Sequence, residues 1–459
     1  MVFTRKGFSQ VVSNAYAGFG FAPESPTVFE FPLEMFLPGS DLSPIKDHIE
    51  KVVDGLTKWK PRYTQKGIVE PEANIGVEGK NYPAAIQRMN DLFLRNRWAD
   101  GLPLTPGTKE RVKWILSGTD LSASAVVGEG RVLPKGGIAT VKQLAINLAI
   151  AGGRPEYFPV LIAAVEALLK PPLVHQLWQA TTASTYPIFI INGPVAKQIR
   201  LNSGYGVLGP DPVHPAGAAI GRAIRLIQMN LGGALPGMGT MAIFGGANRY
   251  TNLVFAEDED GIPAAWKSLS VEQGFSPERN VVTAYVGEGT VNVNTASTTT
   301  EEAASATLHR LAGYVSVPSD RYWIYGRQPD YPVGVLLIPR GVARGLANLG
   351  WSKEKVKAFL WENTKISWSA VEKTGTPSQL QHWADDSQGT LVKGEPWPIT
   401  VDPKNFMIVV AGGQQSGHMY WIQGANCPEA ATNAEVKLPD RWSGLLKKAE
   451  KDLGPVPGI

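Results

Sequence analysis

The feature that most constrains the fold is the alternation of short apolar runs with segments of helical period. Residues 188–191, 333–338 and 406–411 are apolar runs with the length of a buried strand, and each leads into a turn rich in Gly, Asn or Pro. The segments between them repeat apolar residues at helical spacing. Strands that alternate with helices predict a layered α/β architecture.

The length of the chain predicts several domains, with a small N-terminal unit. Its 459 residues exceed what one hydrophobic core usually organises. A Ser/Thr/Asn tract at 291–300 is expected to separate the last third of the chain. The predicted divisions are an N-terminal α/β unit at 1–60, a linker or wrapping arm at 61–82, a central α/β domain at 83–290 and a C-terminal α/β domain at 300–459.

Capping residues predict where individual helices begin. Ser43 and Pro44 are expected to start the one clear helix of the N-terminal unit, whose apolar stripe has too little chain to cover it. Thr140, Thr300 and Ser352 precede later periodic segments and predict helix caps there. The exposed stripe predicts that the N-terminal unit packs on the rest of the chain or on another subunit.

Charge and composition bear on the classes of partner. Basic residues number 44 and acidic residues 41, and no run of like charge could follow a phosphate backbone, so we expect no nucleic-acid partner. No apolar stretch approaches the ~20 residues of a membrane span, and the first residues lack the pattern of a signal peptide. We therefore expect no membrane partner and a cytoplasmic location. With Cys427 as the single cysteine, thiol chemistry would need a partner chain.

A glycine-rich segment after the last apolar run is a candidate ligand loop. It contains Gly412, Gly413, Gln414, Ser416 and His418. Backbone amides and polar side chains at a strand end suit ligand binding, and His418 is the candidate catalytic acid or base because it shares the loop with Ser416 and Gln414. The alternative is a glycine-rich turn without a ligand.

A second candidate site surrounds the end of the run at 188–191. Short polar residues and glycines there suit the close approach of a small carboxylate, with Arg222 as the charged group. The alternative is ordinary turn chemistry with an arginine on a helix surface. The predicted substrate-binding residues besides Arg222 are Asn192, Gly193, Asn202, Ser203 and Gly204.

Carboxylates provide further candidates. Glu257 and Asp258 follow an apolar run, where they could act as a base or hold a divalent cation, although an acidic surface turn is the simpler explanation. Asp100 lies in a sharp Trp-Ala-Asp-Gly-Leu-Pro break, where it could cap a turn or enter a cleft. Glu257 and Asp100 are accordingly candidate catalytic residues together with His418.

Several segments resemble the long region of the UGSC-motif (seleno)proteins. That family is named for a Sec/Cys-Gly-Ser-Cys motif reminiscent of the selenocysteine subunits of glycine and proline reductases. The resemblance implies a redox or reductive-cleavage role on a small molecule. It rests on the segments DGLPLTP at 100–106, VKQLAIN at 141–147, AGGRPEYFP at 151–159, NGP at 192–194 and RAIRL at 222–226.

The chain departs from that family pattern in two places. It contains no Cys-Gly-Ser-Cys, and its opening resembles the stretch that follows the motif, which implies a separate polypeptide that carries the motif. At residues 337–343, where the resemblance predicts Pro-Glu-His-Ala, neither the acid nor the histidine is present. The second departure makes a non-catalytic subunit a serious alternative.

Together these observations predict a subunit of a hetero-oligomeric enzyme that acts on a small anionic or polar molecule. Thiol- or selenol-assisted reductive or lytic cleavage with the partner chain is the expected reaction. One alternative is a structural subunit of the same complex. The other is a metal-dependent hydrolase or lyase that uses Glu257, Asp258 and His418. The sequence identifies neither a cofactor nor a metal.

Overall fold

The N-terminal unit is built on two parallel strands. In the computed structural model, β1 (Val2–Arg5) pairs with β2 (Val28–Phe31), and α1 (Ser9–Gly18) connects them. The structure describes residues 1–22, 24–36, 39–63, 74–295, 298–316, 331–386, 389, 391–415, 417–425 and 430–455.

The apolar stripe predicted from Ser43 onward lies largely in solvent. A 3-10 turn, Ser43–His48, precedes the second α-helix, α2 (Ile49–Thr57), and only Val52 of that helix is buried. Ile49 and Leu56 are 52% and 70% exposed, because two short strands offer little surface to cover them. The single helix predicted from Ser43 is therefore a 3-10 turn followed by a short α-helix with an uncovered face.

Helices surround the remaining strands, and helical residues outweigh strand residues, 42% against 15%. Thr140, Thr300 and Ser352 cap their helices through side-chain oxygens, as predicted. The helices after α2 are α3 (Tyr82–Arg95), α4 (Lys109–Leu116), α5 (Val141–Ile150), α6 (Phe158–Leu168), α7 (His175–Ala180), α8 (Val195–Gln198), α9 (Ala216–Asn230), α10 (Leu269–Glu272), α11 (Glu301–Val315), α12 (Arg340–Asn348), α13 (Lys353–Asn363), α14 (Trp368–Val371), α15 (Pro377–Asp386) and α16 (Trp442–Leu453).

One mixed, curled sheet of seven strands runs through the rest of the chain, which confirms the α/β class. The three runs predicted as strands are β3, β6 and β7, and the apolar run before Glu257, also predicted as a strand, is β4. The strands after β2 are β3 (Tyr186–Asn192), β4 (Leu253–Ala256), β5 (Val281–Asn294), β6 (Gly334–Ile338), β7 (Phe406–Val410), β8 (His418–Gly424) and β9 (Thr432–Glu435).

Six of the seven strands lie in the order β4-β3-β5-β8-β6-β7, a palindrome of two similar halves, and β9 pairs with β5 beside this path. In the first half β3 is parallel to β4 and antiparallel to β5; in the second half β6 is parallel to β7 and antiparallel to β8. The two halves join through the antiparallel pair of β5 and β8. One sheet therefore crosses the boundary predicted between the central and C-terminal domains.

The tract at 291–300, predicted as a separator, is partly strand. Its first four residues belong to β5, where Val293 is fully buried and pairs with Met419 of β8. Alternate residues of a strand face opposite sides, so Asn292 and Asn294 can face solvent while Val293 enters the core. The expected break in structure was therefore wrong for 291–294.

Apolar side chains fill both faces of the curled sheet. One face of β3, β4, β6 and β7 packs together with Tyr285 and Ile422. The other face of the first half is covered by α5, α6 and α9, and that of the second half by α11, α12 and α13. Because the sheet curls, the ends of its two edge strands meet: the Asp258 amide donates to the Val410 carbonyl at 2.7 Å.

Within the part of the chain described by the structure, no single helix combines the length and apolar character needed to cross a bilayer. One bent pair, Pro155–Leu168 with Pro171–Ala180 at 70°, satisfies those criteria by length and composition only.

Acid should destabilise the fold through His175. This side chain is buried edge-on against Trp178, and burial lowers the pKa of His175 to about 4 from the ordinary 6.5. The unfolded chain therefore binds the proton more readily, and stability falls as the pH drops from 6.5 towards 4. Between pH 7 and 5 we expect a loss of about 2 kcal/mol from this group. Urea titrations of wild type and His175→Gln at both pH values should show a smaller loss in the variant.

Exposed His418 supplies the control for this titration. His418→Gln should leave the acid-dependent loss of stability unchanged. If His175→Gln shows the same loss as wild type, another group is responsible.

Candidate functional site

The ends of β3, β4 and β7 meet at one junction. The Glu257 amide donates to Ile191 at 3.1 Å, and the Gly412 amide donates to the Ser203 carbonyl at 2.9 Å. The Ala256 amide likewise donates to the Asn202 carbonyl at 2.9 Å. Most of the predicted site residues are thus gathered in one region, although they come from three separate parts of the chain.

Glu257 lies at the centre of this junction with its carboxylate fully engaged. It accepts hydrogen bonds from the Asn192 side chain at 2.8 Å and from the Leu269 amide at 2.7 Å. The Lys353 ammonium lies 3.6 Å away, and both side chains are almost completely buried. The Val410 amide donates to it as well, at 3.3 Å. A carboxylate held by three donors and a cation anchors the junction, so the geometry places Glu257 and Asn192 in a structural network.

Gly193 occupies a position that demands glycine. Its φ is +92°, and a Cβ there would lie 2.3 Å from the Arg279 carbonyl oxygen. The Gly193 amide donates to Glu259 at 2.8 Å. Burial raises the pKa of Glu259 above its ordinary value, although the Gly193 and Asn192 donors oppose the rise. The amide predicted to meet a substrate therefore binds a protein carboxylate.

Arg340 lies in the segment where the family resemblance predicts an acid and a histidine. Its guanidinium forms a fork with the buried carboxylate of Asp258, and its amide donates to the Gly413 carbonyl at 2.9 Å. Gly413 in turn lies under the ring of Tyr205. Arg340 therefore ties the second half of the sheet to the first across the junction.

Two predicted site residues, Arg222 and Asp100, form an ion pair with each other. The Arg222 Nε and Nη2 donate to the Asp100 carboxylate at 2.8 and 2.9 Å, and Nη2 also reaches the Leu102 and Pro103 carbonyls. Burial alone would raise the pKa of Asp100, but the Arg222 hydrogen bonds outweigh it and lower that pKa. The structure thus corrects the predicted placement of Arg222 beside Asn202.

His418 lies apart from the other candidates. It begins β8, is exposed, and its Nδ1 lies 3.2 Å from the side-chain nitrogen of Asn292 on β5. Gln414 is exposed as well, and its carbonyl packs on Gly341. Ser416 and Cys427 fall outside the described residues. The structure therefore does not bring His418 to Glu257 or Asp258.

A cavity of about 230 Å³ opens beside Asn202, between the start of α9 and β4. Gly217 lets α9 approach the strand closely, since a Cβ there would lie 2.5 Å from the Val254 carbonyl oxygen. The N-terminal amides of a helix carry partial positive charge, which suits an anionic group. The walls include Asn202, His214, Gly217, Ala218, Asn252 and Val254.

His214 and Asp211 form a hydrogen-bonded pair at this cavity. The His214 Nδ1 lies 2.5 Å from the Asp211 Oδ2, which also accepts from the Asn202 side chain at 3.0 Å. Burial opposes ionisation of Asp211, but hydrogen bonds from His214 and the Val213 amide outweigh it and lower the pKa of Asp211. An ionised Asp211 fixes the proton on Nδ1 and leaves Nε2 of His214 as the basic nitrogen.

Asn252 adds a polar group without a protein partner. Its φ is +49°, its side-chain nitrogen donates to the Gly221 carbonyl at 3.0 Å, and its Oδ1 is buried and unpaired. Because buried polar atoms are nearly always hydrogen-bonded, this unpaired oxygen is unusual among the residues beside the cavity. The cavity itself offers a base and a helix N-terminus to one small molecule.

Sequence reasoning missed Asp211 and His214. The signal was an Asp-Pro-Val-His-Pro segment just before a helix, in which the acid and histidine are three residues apart. Among the described residues, no group of three or more His, Cys, Asp or Glu side chains is arranged to hold a metal ion.

No protein-family model, curated protein or solved structure matches the chain.

Proposed function

We propose that this chain is an enzyme subunit that binds a small anionic or polar molecule in the cavity beside Asn202. His214, oriented by Asp211, moves a proton to or from that molecule. The hydrogen-bonded Asp211–His214 pair at the cavity carries this proposal, because it has the arrangement by which a carboxylate orients a catalytic imidazole. The nearby start of α9 favours a substrate with a negative group.

The proposal keeps the reductive or lytic cleavage implied by the family resemblance. Both reactions need a proton for the leaving group or a base for the substrate, and His214 can supply either. A thiol or selenol would come from a separate chain, in a cytoplasmic hetero-oligomer. The uncovered face of α2, with Ile49 and Leu56 in solvent, supports the existence of such a partner.

Deuterium exchange tests the proton-transfer step without knowledge of the full reaction. The protein is incubated in D2O with a panel of small hydroxy, keto and amino acids, and proton NMR follows the loss of each carbon-bound proton. Dithiothreitol in parallel samples stands in for the partner's thiol and reveals any cleavage product. We expect exchange with wild type, and a loss of about a hundredfold in His214→Gln.

Two variants make this test specific. Asp211→Asn should slow exchange as well, because the amide no longer fixes the tautomer of His214. His418→Gln is the matched control and should exchange at the wild-type rate. Equal rates in wild type and His214→Gln would remove His214 from the chemistry and favour a structural subunit.

A further inference from the structure

Two buried arginines near the C-terminal end of α9 have no acidic partner. Arg225 and Arg249 are 8% and 9% exposed. Neither guanidinium lies within ion-pair distance of a carboxylate in the portion of the chain that the structure describes. Asp100, the acid that favours the charge on Arg225, is already held by Arg222. Buried charges in proteins are normally paired, so this pair is incomplete.

The hydrogen bonds of the two guanidiniums leave donors unused. Arg225 donates only through Nη2, to the Ala234 carbonyl at 3.0 Å, so its Nε and Nη1 meet no acceptor among the described residues. Arg249 donates to the Thr185 carbonyl at 2.7 Å and to the Thr240 hydroxyl at 2.9 Å. All of these acceptors are neutral, and none offsets the two positive charges.

The two positive charges also repel each other. Burial, reinforced by repulsion from Arg249, lowers the pKa of Arg225 to about 10. Burial lowers the pKa of Arg249 to about 10 as well. Both side chains stay protonated at neutral pH, so the protein alone holds two neighbouring positive charges that are largely buried.

Two buried amide side chains with unpaired atoms belong to the segments next to the two arginines. Gln228, one turn after Arg225 on α9, is 1% exposed, and its Nε2 has no partner. Gln179 on α7 is equally buried, and neither atom of its amide has a partner. The Thr185 hydroxyl, which Arg249 contacts, donates to the Trp178 carbonyl beside Gln179.

The neighbouring backbone links these groups into one region. The Ala234 amide donates to the Gln228 carbonyl at 3.0 Å, while the Ala234 carbonyl accepts from Arg225. The segment after α9 therefore turns back over the helix, where it contacts the Gln228 backbone and the Arg225 side chain. Buried amide donors beside unpaired guanidiniums are the groups that recognise oxyanions.

We propose that Arg225 and Arg249, with Gln179 and Gln228, form a buried site for a small oxyanion, either a carboxylate or a phosphate group. The site is distinct from the cavity at His214, which lies at the opposite end of α9. Arg225 and Arg249 are its charged ligands, and the two glutamines complete its hydrogen bonds. Occupancy by a dianion would neutralise both guanidiniums and stabilise the fold by linkage.

Calorimetric and thermal titrations of the full chain test this site. The protein is dialysed against chloride and then titrated with sodium malonate or sodium phosphate at constant ionic strength. We expect saturable binding and a rise in Tm with at least one of the two anions, and the preferred anion identifies a carboxylate or a phosphate ligand. An anion retained through dialysis would appear on ion chromatography of acid-denatured protein, at about one equivalent.

Arg225→Met is the decisive variant. It should raise the Kd of the preferred anion at least about tenfold, while the anion-free protein keeps or gains stability because an unpaired buried charge is removed. Arg249→Lys retains the charge but loses the planar fork, so it should also weaken binding, and it replaces the first variant if that one fails to fold. Arg111→Gln is the control, since Arg111 donates to two carbonyls and bears no relation to the site.

Two outcomes would overturn the site. The first is a wild-type protein that gains no stability from malonate or phosphate over chloride and releases no anion on denaturation. The second is a gain in Tm that Arg225→Met and Arg249→Lys retain in full, which would identify a general effect of salt on the fold.

Discussion

Replacing Lys353 by Met is expected to lower the free energy of unfolding by about 3–5 kcal/mol. The Lys353 ammonium is 1% exposed, donates to the Ile408 carbonyl at 2.9 Å, and lies 3.6 Å from Glu257 and 3.5 Å from Glu272. Its removal leaves the carboxylate of Glu257 buried without a cation. Urea unfolding followed by tryptophan fluorescence measures the loss.

A second substitution distinguishes charge from packing in this result. Glu257→Gln removes the uncompensated charge, so the double variant Lys353→Met/Glu257→Gln should recover part of the loss. Lys448→Met is the surface control, because Lys448 pairs with Asp452 in solvent and such pairs contribute at most about 1 kcal/mol. A similar small loss for Lys353→Met and Lys448→Met would mean that the junction tolerates an unpaired Glu257.

Replacing Gly221 by Ala is expected to lower the free energy of unfolding by about 3 kcal/mol or more. Gly221 lies in the middle of α9, and an added Cβ would lie 1.7 Å from the Thr251 carbonyl oxygen. Since that oxygen belongs to the backbone, the helix must move away from β4, which exposes packed side chains along its length. The clash outweighs the gain of up to ~1 kcal/mol that Ala brings to a helix. Thermal and urea unfolding measure the change.

Gly313 of α11 provides a control of opposite sign. An added Cβ there meets no atom within 4 Å, so Gly313→Ala should stabilise the protein by up to ~1 kcal/mol. Equal effects of Gly221→Ala and Gly313→Ala would show that α9 is free to shift. The Gly221 variant should also alter the cavity at His214, because Thr251 and Gly217 line it.

The local sequence pattern was sufficient to predict the strands that are buried on both faces. β3, β6 and β7 are continuous apolar runs, which made them recognisable from the sequence. β5 and β8 were not predicted, because their second halves mix Thr, Asn, Gly and Gln and are stabilised by pairing with each other. Pairing between residues more than a hundred positions apart leaves no local signal.

The candidate site was predictable only in part, for the same reason. Strand ends identified Asn192, Gly193 and Glu257 as candidate site residues, but the contact between Asn192 and Glu257 was not predicted. Their partners could not be predicted: Lys353 and Arg340 reach the junction from the second half of the sheet, and Asp100 meets Arg222 across 122 positions. The Asp211–His214 pair could have been predicted, since both residues lie just before the start of α9.

The palindromic strand order carries a consequence for the origin of the chain. Residues 191–196 at the end of β3 and 338–343 at the end of β6 share the pattern Ile-x-x-x-Val-Ala, and an Asn precedes both β4 and β7. Duplication of an ancestral half-length unit, paired with its own copy, would produce this arrangement. Fusion then allows the two copies to diverge. The first copy has His214 at a cavity, and the second contributes Arg340 and Lys353, which pair with Asp258 and Glu257 of the first copy.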